Sequence, residues 1–302
     1  MFVKGLAAAT LAAGWSGSAR AQAGAAKPGV GENGSFAFVQ LADTQLGFKA
    51  WSDDLTHEVA QFERAIAHVN RLQPSFVMIS GDLVNSPRTE EKLSTFDRLR
   101  AMINPAIPVH VQPGNHDVGL TPTAESLAAY RARYGRDFYS FRVGGTHFVN
   151  LNSQIIFVAA ALPEETAAQW AWLKRDLAAA RAEGVDHIVV LAHYPWFLED
   201  PEEDPEGDPL FHKNRGYYMI PRATRRTYLA LLAEYDVRVT FSGHVHGNVY
   251  GRSGAMEMVT SGPVSVSLHE GTAEGLRIVR VTPGAITHTY HALDAVPATL
   301  AG

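Results

Sequence analysis

The 302-residue sequence contains no cysteine. That absence excludes a disulfide framework, a thiolate metal site, a catalytic cysteine and a lipidated N-terminal cysteine. Neither sign of charge dominates: 26 Lys and Arg stand against 31 Asp and Glu, a formal net charge of −5. A nucleic-acid platform needs a basic face, and this balance offers none. No apolar run reaches the roughly 20 residues that span a bilayer, so no transmembrane anchor is expected. Neither a G-x-S-x-G elbow nor a G-x-x-x-x-G-K-[ST] loop occurs, which removes the serine hydrolase and P-loop NTPase readings. What the chain does have is 46% hydrophobic and 10% aromatic residues with only 19% charged ones, so it is neither disordered nor fibrous. Its length suffices for a full core in one domain.

The N-terminus reads as an export signal. Lys4 is followed by the small apolar stretch Gly5–Gly14, and Ala19 with Ala21, or Ala21 with Ala23, gives an A-x-A-like cleavage site. A disordered Ala/Gly tail is the alternative. The signal reading assigns residues 1–21 to a signal peptide and the mature protein to the periplasm or the exterior. Its removal takes Lys4 and Arg20 and no acid, so the net charge moves from −5 to −7. No twin arginine is present, and the export route stays open. Residues 22–34 form a Gly/Ala/Pro-rich linker, 35–295 the folded domain and 296–302 a tail.

Within the domain, short apolar runs bounded by turn residues alternate with amphipathic segments. Phe36–Ala42, Phe76–Ser80 and Val109–Gln112 read as buried strands. Phe141–Leu151, His187–Leu191, Val237–Phe241, Met256–Val259 and Leu276–Val281 add more, some broken by Gly-Gly or Pro-Gly turns. Val59, Phe62, Ile66, Val69 and Leu72 recur at helical spacing, and Glu164–Glu183 is a second helix with acids in its first turn. Thr123–Tyr134 and Ala223–Tyr235 complete an alternating α/β chain without internal repeats.

Polar groups cluster where these strands end. The first runs into Asp43-Thr44-Gln45, the second into Gly81-Asp82, the third into Gly114-Asn115-His116-Asp117. Later strands end in His193-Tyr194-Pro195 and Gly243-His244-Val245-His246. Open α/β folds place their sites at that edge of the sheet. Asp-x-Gln or Gly-Asp alone is an ordinary surface turn. Gly-Asn-His-Asp straight after a buried strand is more informative, because polar groups there need a reason. His-x-His at a strand end puts both imidazoles on one side. Together, the ordered set of oxygen and imidazole donors points to a metal centre.

This set resembles the calcineurin-like metallophosphoesterase superfamily. Within it, the chain is most similar to the Ser/Thr phosphatase branch of calcineurin-like phosphoesterase domain-containing protein 1 and its bacterial relatives. The resemblance extends to Asp43-Thr-Gln-Leu-Gly-Phe-Lys-Ala-Trp51, Gly114-Asn-His-Asp-Val-Gly119, Thr121-Pro-Thr-Ala-Glu125, Tyr139-Ser-Phe-Arg-Val-Gly-Gly145, Leu151-Asn-Ser-Gln154 and Phe241-Ser-Gly-His244, over about Phe36 to Asp294. It implies an α-β-β-α sandwich of two mixed sheets flanked by helices. It also implies two divalent metal ions: Asp43, Gln45, Asp82 and His246 for the first, and Asp82, Asn115, His193 and His244 for the second, with Asp82 bridging. Such a pair clamps the attacking and leaving oxygens of an in-line displacement and brings hydroxide within reach of neutral pH. His116 is expected to stabilise or protonate the leaving alkoxide, with Asp117 hydrogen-bonded to it and favouring the imidazolium.

Two features depart from the wider pattern. Gln45 stands where the superfamily has His, although the narrower branch shares Gln. An amide oxygen is a weak neutral ligand, so among Mn, Mg, Fe and Zn the site is expected to favour Mn²⁺ or Mg²⁺ over Zn²⁺, with Mn²⁺ preferred. Glu199–Asp208 packs seven acids into ten residues and either overhangs the site or forms a solvated loop. Trp51, Trp196, Phe197, Tyr217 and Tyr218 are candidates for the substrate mouth or for core. Arg222, Arg225 and Arg226 are candidate phosphate contacts or a solvated helix face. His110, His147, His288 and His291 read as packing or surface positions. The expected activity is phosphomonoester hydrolysis, on phosphoserine or phosphothreonine, by a monomer. A phosphodiesterase for nucleotides or phospholipid head groups is the alternative, and a binding protein on a degenerate scaffold the third reading.

Overall fold

The computed structural model describes residues 29–49, 54–86, 88–203 and 215–300. The expected signal peptide, most of the linker, Trp51, residues 204–208 of the acidic run and the end of the tail lie outside the described residues. The chain opens with β1 (Phe36–Leu41), α1 (Thr56–Leu72), β2 (Val77–Ile79), α2 (Glu90–Arg100) and β3 (Val109–Val111). It continues through α3 (Asn115–Val118), α4 (Ala124–Tyr134), β4 (Tyr139–Val143), β5 (Thr146–Leu151), α5 (Ser153–Phe157) and α6 (Pro163–Ala182). Then follow β6 (His187–Ala192), α7 (Arg222–Glu234), β7 (Val239–Ser242), β8 (Val249–Ser253), β9 (Met256–Thr260), β10 (Gly275–Thr282) and β11 (Ala285–Ala292).

Two mixed sheets result, as the resemblance implied. One has the order β11-β10-β1-β2-β3 and the other β4-β5-β6-β7-β9-β8. The alternation along β1 shows why they stack. Phe36 and Phe38 point into the space between the sheets with Phe76, Phe148, Val189 and Phe241. Val39 and Leu41 point the other way, onto Phe62, Ile66 and Val69 of α1 and Phe96 of α2. Phe38 stacks on Phe76 at 4.6 Å between ring centroids and meets Phe241 edge-on at 5.8 Å. On the far side, Val149 and Val190 face Leu173 and Leu177 of α6 and Leu229 and Leu232 of α7. The layers therefore run helix, sheet, sheet, helix. Each buried Phe of the middle layer contributes about 1.5–3 kcal/mol through removal from water.

The two-strand run Phe141–Leu151 divides at Gly144-Gly145 into antiparallel β4 and β5, as the Gly-Gly turn predicted. Five elements were not anticipated: α2, the short helices α3 and α5, β8 and β11. No helix among the described residues is long and apolar enough to cross a membrane. β1, β2 and β3 are mutually parallel, as are β5, β6, β7 and β9. Parallel strands share one carboxyl edge, and the loops leaving β1, β2, β3, β6 and β7 carry every candidate ligand.

Candidate metal centre

Asp43, Gln45, Asp82, Asn115, His193, His244 and His246 are all buried at that edge. Asp82, His193 and His244 each offer a ligand atom, and these atoms lie within 4.8 Å of one another. His193 Nε2 stands 3.3 Å from Asp82 Oδ2 and 3.1 Å from Asn115 Oδ1. On the other flank, His246 Nε2 is 3.7 Å from Asp43 Oδ1. The structure thus brings the seven predicted ligands to one seam, with acids and amides from the first sheet and imidazoles from the second.

The local backbone is bent to achieve this. Seven non-glycine described residues have positive φ, and five of them are candidate ligands: Asp43, Gln45, Asp82, His244 and His246. Left-handed conformations of non-glycine residues cost about 1–3 kcal/mol each and persist where the surroundings impose them. The other two, Gln73 and Asp236, follow directly on helices, where this conformation is ordinary. Two glycines show how tight the loops are. A β-carbon at Gly114 would overlap the Asp82 carboxylate, and one at Gly81 (φ +79°) would sit 2.6 Å from His193 Nδ1.

Each imidazole spends one nitrogen on a backbone carbonyl. His193 Nδ1 pairs with Ser80 O at 2.7 Å, His244 Nε2 with Tyr217 O at 2.9 Å and His246 Nδ1 with Val266 O at 2.6 Å. A carbonyl only accepts, so a proton sits on that nitrogen, and at His244 and His246 the other keeps its lone pair for the seam, as metal-ligating histidines require; His193 must first lose a second proton. Burial, the largest cause, pushes His244 down to about 3 and His246 down to about 4, so both are neutral donors near pH 7. Burial also opposes charge on His193, yet neighbouring Asp82 and Asp43 prevail and raise it to about 9. Burial pushes Asp43 up to about 8, with the Asp82 charge adding to it. Asp82 is buried too, but His193 and His116 beside it hold its carboxyl well below the usual range.

The donor set fits divalent cations that take oxygen and imidazole nitrogen. Gln45 Oε1 is buried without a hydrogen-bond partner, while its Nε2 faces Asn85 Oδ1 at 3.5 Å. A buried lone pair left unpaired carries a desolvation cost of about 1–3 kcal/mol unless something occupies it. An incoming cation would do so.

At Asp117 the structure shows contacts that the sequence did not suggest. Its carboxylate accepts from the backbone amides of Gly114 at 2.8 Å, Leu83 at 3.0 Å and Val84 at 3.4 Å. Those amides are stronger claims on the oxygens than the neighbouring ring, because they are otherwise orphaned in buried turns. Asp117 therefore ties the β2 and β3 loops together. His116 Nδ1 accepts from the Ser86 amide at 3.4 Å, its own amide donates to Asp82 Oδ1 at 2.8 Å, and its Nε2 stands 4.0 Å from Asp82 Oδ2. Burial lowers the His116 imidazole, with the Asp82 charge opposing it.

The cavity over the centre holds about 390 Å³ and is lined by Gln45, Asp82, Asn115, His116, His244 and His246 together with Phe48, Ser86, Leu120, Tyr217, Tyr218 and Leu268. Tyr217 and Tyr218 thus belong to the mouth, whereas Trp196 and Phe197 are buried in the core of the second sheet. Leu120 and Leu268, more than half exposed at the rim, carried no sequence signal. A larger cavity of about 600 Å³ lies behind the Asp117 loop between α2 and α4 and contains none of the candidate metal ligands. Arg222 and Arg226 pair with Glu202, and buried Arg225 holds the Pro201 and Glu203 carbonyls. These arginines clamp the acidic loop rather than facing the centre. His110 stacks on Phe141 at 3.7 Å, His147 pairs with Asp176 at 2.7 Å and His288 with Arg277 at 2.9 Å, all in packing roles. His291 is half-buried on β11.

Comparison with known proteins places this geometry. Residues 36–248 match the Calcineurin-like phosphoesterase family. The Serine/threonine-protein phosphatase CPPED1 of Mus musculus is 34% identical over 276 residues, covering 86% of this chain and 85% of that protein. The CPPED1 of Homo sapiens gives the same identity and coverage. Among solved structures, a dimetal phosphatase from Danio rerio superposes with a TM-score of 0.59 at 13% identity, over 85% of this chain and 99% of that one. The chain belongs to the calcineurin-like phosphoesterase family.

Proposed function

We propose that this metal-dependent phosphoric ester hydrolase is a dinuclear phosphomonoesterase acting on phosphoserine and phosphothreonine. The observation that carries the reading is the convergence of Asp82, His193 and His244 beside a buried, unpartnered Gln45 Oε1. Asp43, Gln45, Asp82 and His246 would hold one ion and Asp82, Asn115, His193 and His244 the other. When bound, such a pair supplies Lewis-acid stabilisation of phosphoryl charge and lowers the pKa of water. The weak amide donor and the mixed O/N set favour Mn²⁺.

The chain's own residues supply the rest. His116, on the wall of the cavity, is placed to give a proton to the leaving alkoxide. Asp117 holds the loop that carries His116, through three backbone amides. Phe48, Leu120 and Leu268 give the cavity its apolar surface. The similarity to serine/threonine phosphatases supports the substrate class, with 34% identity over most of both chains. One observation favours a phosphodiester instead: none of the described residues lining the cavity is Lys or Arg, so a dianion gains no direct cationic partner there.

The test strips the full chain with chelator, restores Mn²⁺, Mg²⁺, Fe²⁺ or Zn²⁺ singly, and measures turnover on a phosphoserine peptide, 4-nitrophenyl phosphate and bis(4-nitrophenyl) phosphate. Metal-restored turnover of both monoesters above the diester is expected. Faster diester turnover would move the assignment to the second reading, and activity untouched by chelation would overturn the metal centre.

A further inference from the structure

Gln40 interrupts the apolar strand β1 and is fully buried, on the face that meets the second sheet. Its Nε2 donates to Ser80 Oγ and to the Ser242 carbonyl, both at 2.9 Å, and its Oε1 accepts from the Ser261 hydroxyl at 2.6 Å. The Ser242 carbonyl can only accept, so the amide orientation is fixed by its partners. These bonds join residues 40, 202 and 221 positions apart in the chain. Two of the partners lie close to candidate ligands. Ser80 precedes Asp82 by two residues and presents its carbonyl to His193, and Ser242 precedes His244 by two. Ser261 Oγ also accepts from Arg277 Nε at 2.7 Å. Arg277 is the cross-strand partner of Gln40 on β10, is itself buried, and donates through Nη2 to Asn248 Oδ1 at 2.7 Å, two residues beyond His246.

We propose that Gln40, Ser261 and Arg277 form a buried hydrogen-bonded frame that sets the spacing of the loops bearing Asp82, His244 and His246, so that Gln40 is a positioning residue for metal binding. Gln40 hydrogen-bonds none of the candidate ligand side chains among the described residues. It acts through the strand ends from which they project. The group sits between two sheets that share no strand ladder; across the seam the Val264 amide donates to the Ala42 carbonyl at 2.8 Å and the His244 amide to the Asp43 carboxylate, and neither contact joins the strand end of Asp82 to that of His244. A buried amide with every donor and acceptor used does join them, because any slip would leave a polar atom unpaired. The inference rests on the metal-site reading above.

The test uses the chelator-stripped full chain and reads Mn²⁺ affinity by calorimetry and the melting temperature separately. Absence of Mn²⁺ binding in the parent would fail the metal reading itself, before any variant is made. With binding established, Gln40→Met keeps side-chain length and removes all three bonds, and is expected to weaken Mn²⁺ binding about 10–100-fold, the usual effect of disturbing a ligand's supporting contacts. It also orphans Ser80 Oγ and lowers the melting temperature. Adding Ser80→Ala removes that orphan and is expected to restore much of the melting temperature while the affinity stays low. Asn248→Ala, at the half-buried end of the frame, is expected to weaken binding with a smaller fall in melting temperature than Gln40→Met, because Arg277 Nη2 keeps the Tyr250 hydroxyl and the Thr260 carbonyl, and it remains readable should the Gln40 variants not fold. Affinity that recovers together with the melting temperature would overturn the proposal, as would parent-like affinity in Asn248→Ala.

Discussion

The two sheets bring different chemistry to one seam. The first supplies oxygen donors, Asp43, Gln45, Asp82 and Asn115, from the loops after β1, β2 and β3. The second supplies His193, His244 and His246 from the loops after β6 and β7. The halves are stabilised differently. Each imidazole is pinned by a backbone carbonyl and, at His244 and His246, kept neutral by burial. The two carboxylates confront each other: burial and mutual repulsion leave Asp43 raised while the neighbouring imidazoles hold Asp82 low. At His244 and His246 the imidazole half is thus ready for a cation as it stands. Asp43 and His193 must each give up a proton to receive one, and metal binding is expected to release protons accordingly.

That contrast is broken most severely at Asp82, the one donor shared by both proposed ions. Asp82→Asn removes a charge that no other oxygen of the half replaces. Losing several kcal/mol of transition-state stabilisation corresponds to a rate fall of about 10³-fold or more. Elemental analysis is expected to find fewer than two bound ions per chain. Two tightly held ions in the variant would show that the bridging assignment is wrong.

His116 belongs to the same edge without being a ligand, and separates chemistry from metal holding. His116→Ala is expected to keep its metal content and lose roughly 10²–10⁴ in rate, the range for general acid–base catalysis. The loss is expected to be larger for a phosphoserine peptide than for 4-nitrophenyl phosphate, because nitrophenolate leaves without a proton and a serine alkoxide does not. Equal losses on both substrates would assign His116 to binding rather than proton transfer.

Asp117 tests the seam from below. Because its oxygens serve three amides of the β2 and β3 loops, Asp117→Asn places an NH₂ group against backbone donors. The expected cost is about 1–3 kcal/mol of stability. A melting temperature lower by several degrees would register it, at roughly 2–4 °C per kcal/mol for a domain of about 200 residues. An unchanged melting temperature together with an altered His116 titration would point instead to the direct role first expected of Asp117.

The sequence made the ligands legible and hid what holds them. Every candidate ligand follows a strand whose apolar run is readable, so its place at the carboxyl edge follows from topology. The unanticipated strands β8 and β11 are edge strands: β11 alternates exposed and half-buried residues over Ala-Ile-Thr-His-Thr-Tyr-His-Ala, too polar to read as a buried run. The helix α2 has only Leu93, Phe96 and Leu99 as its apolar face and a strongly charged remainder. Gln40 passed unnoticed inside the run Phe36–Ala42, because one polar residue does not disturb a hydrophobic pattern. Its three partners lie just after β2, on β7 and just after β9 and become neighbours only when the sheets pack. The same holds for Asp117, two of whose three amide partners, Leu83 and Val84, come from another loop.

The smallest expected effect is the most direct test of the oxygen half, because it exchanges one donor class for the other. Gln45→His puts an imidazole where the structure has a buried amide oxygen without a partner. The backbone there has φ +33°, close to the left-handed region where His is enriched among non-glycine residues, so the substitution adds little strain. It gives up only the long 3.5 Å contact to Asn85. Imidazole is a better donor than an amide oxygen for Zn²⁺ and Fe²⁺, while Mn²⁺ gains less. The variant is therefore expected to stay active and to shift its preference from Mn²⁺ towards Zn²⁺ by about tenfold, an energy of about 1.4 kcal/mol. Competition of the two ions for the stripped protein, read by elemental analysis after dialysis, measures that shift. Gln45→Ala in parallel removes the donor without replacing it and is expected to lower affinity for both ions alike. An unchanged Mn²⁺ to Zn²⁺ ratio in Gln45→His would mean that Gln45 Oε1 is not a ligand, and the oxygen half of the centre would lose that member.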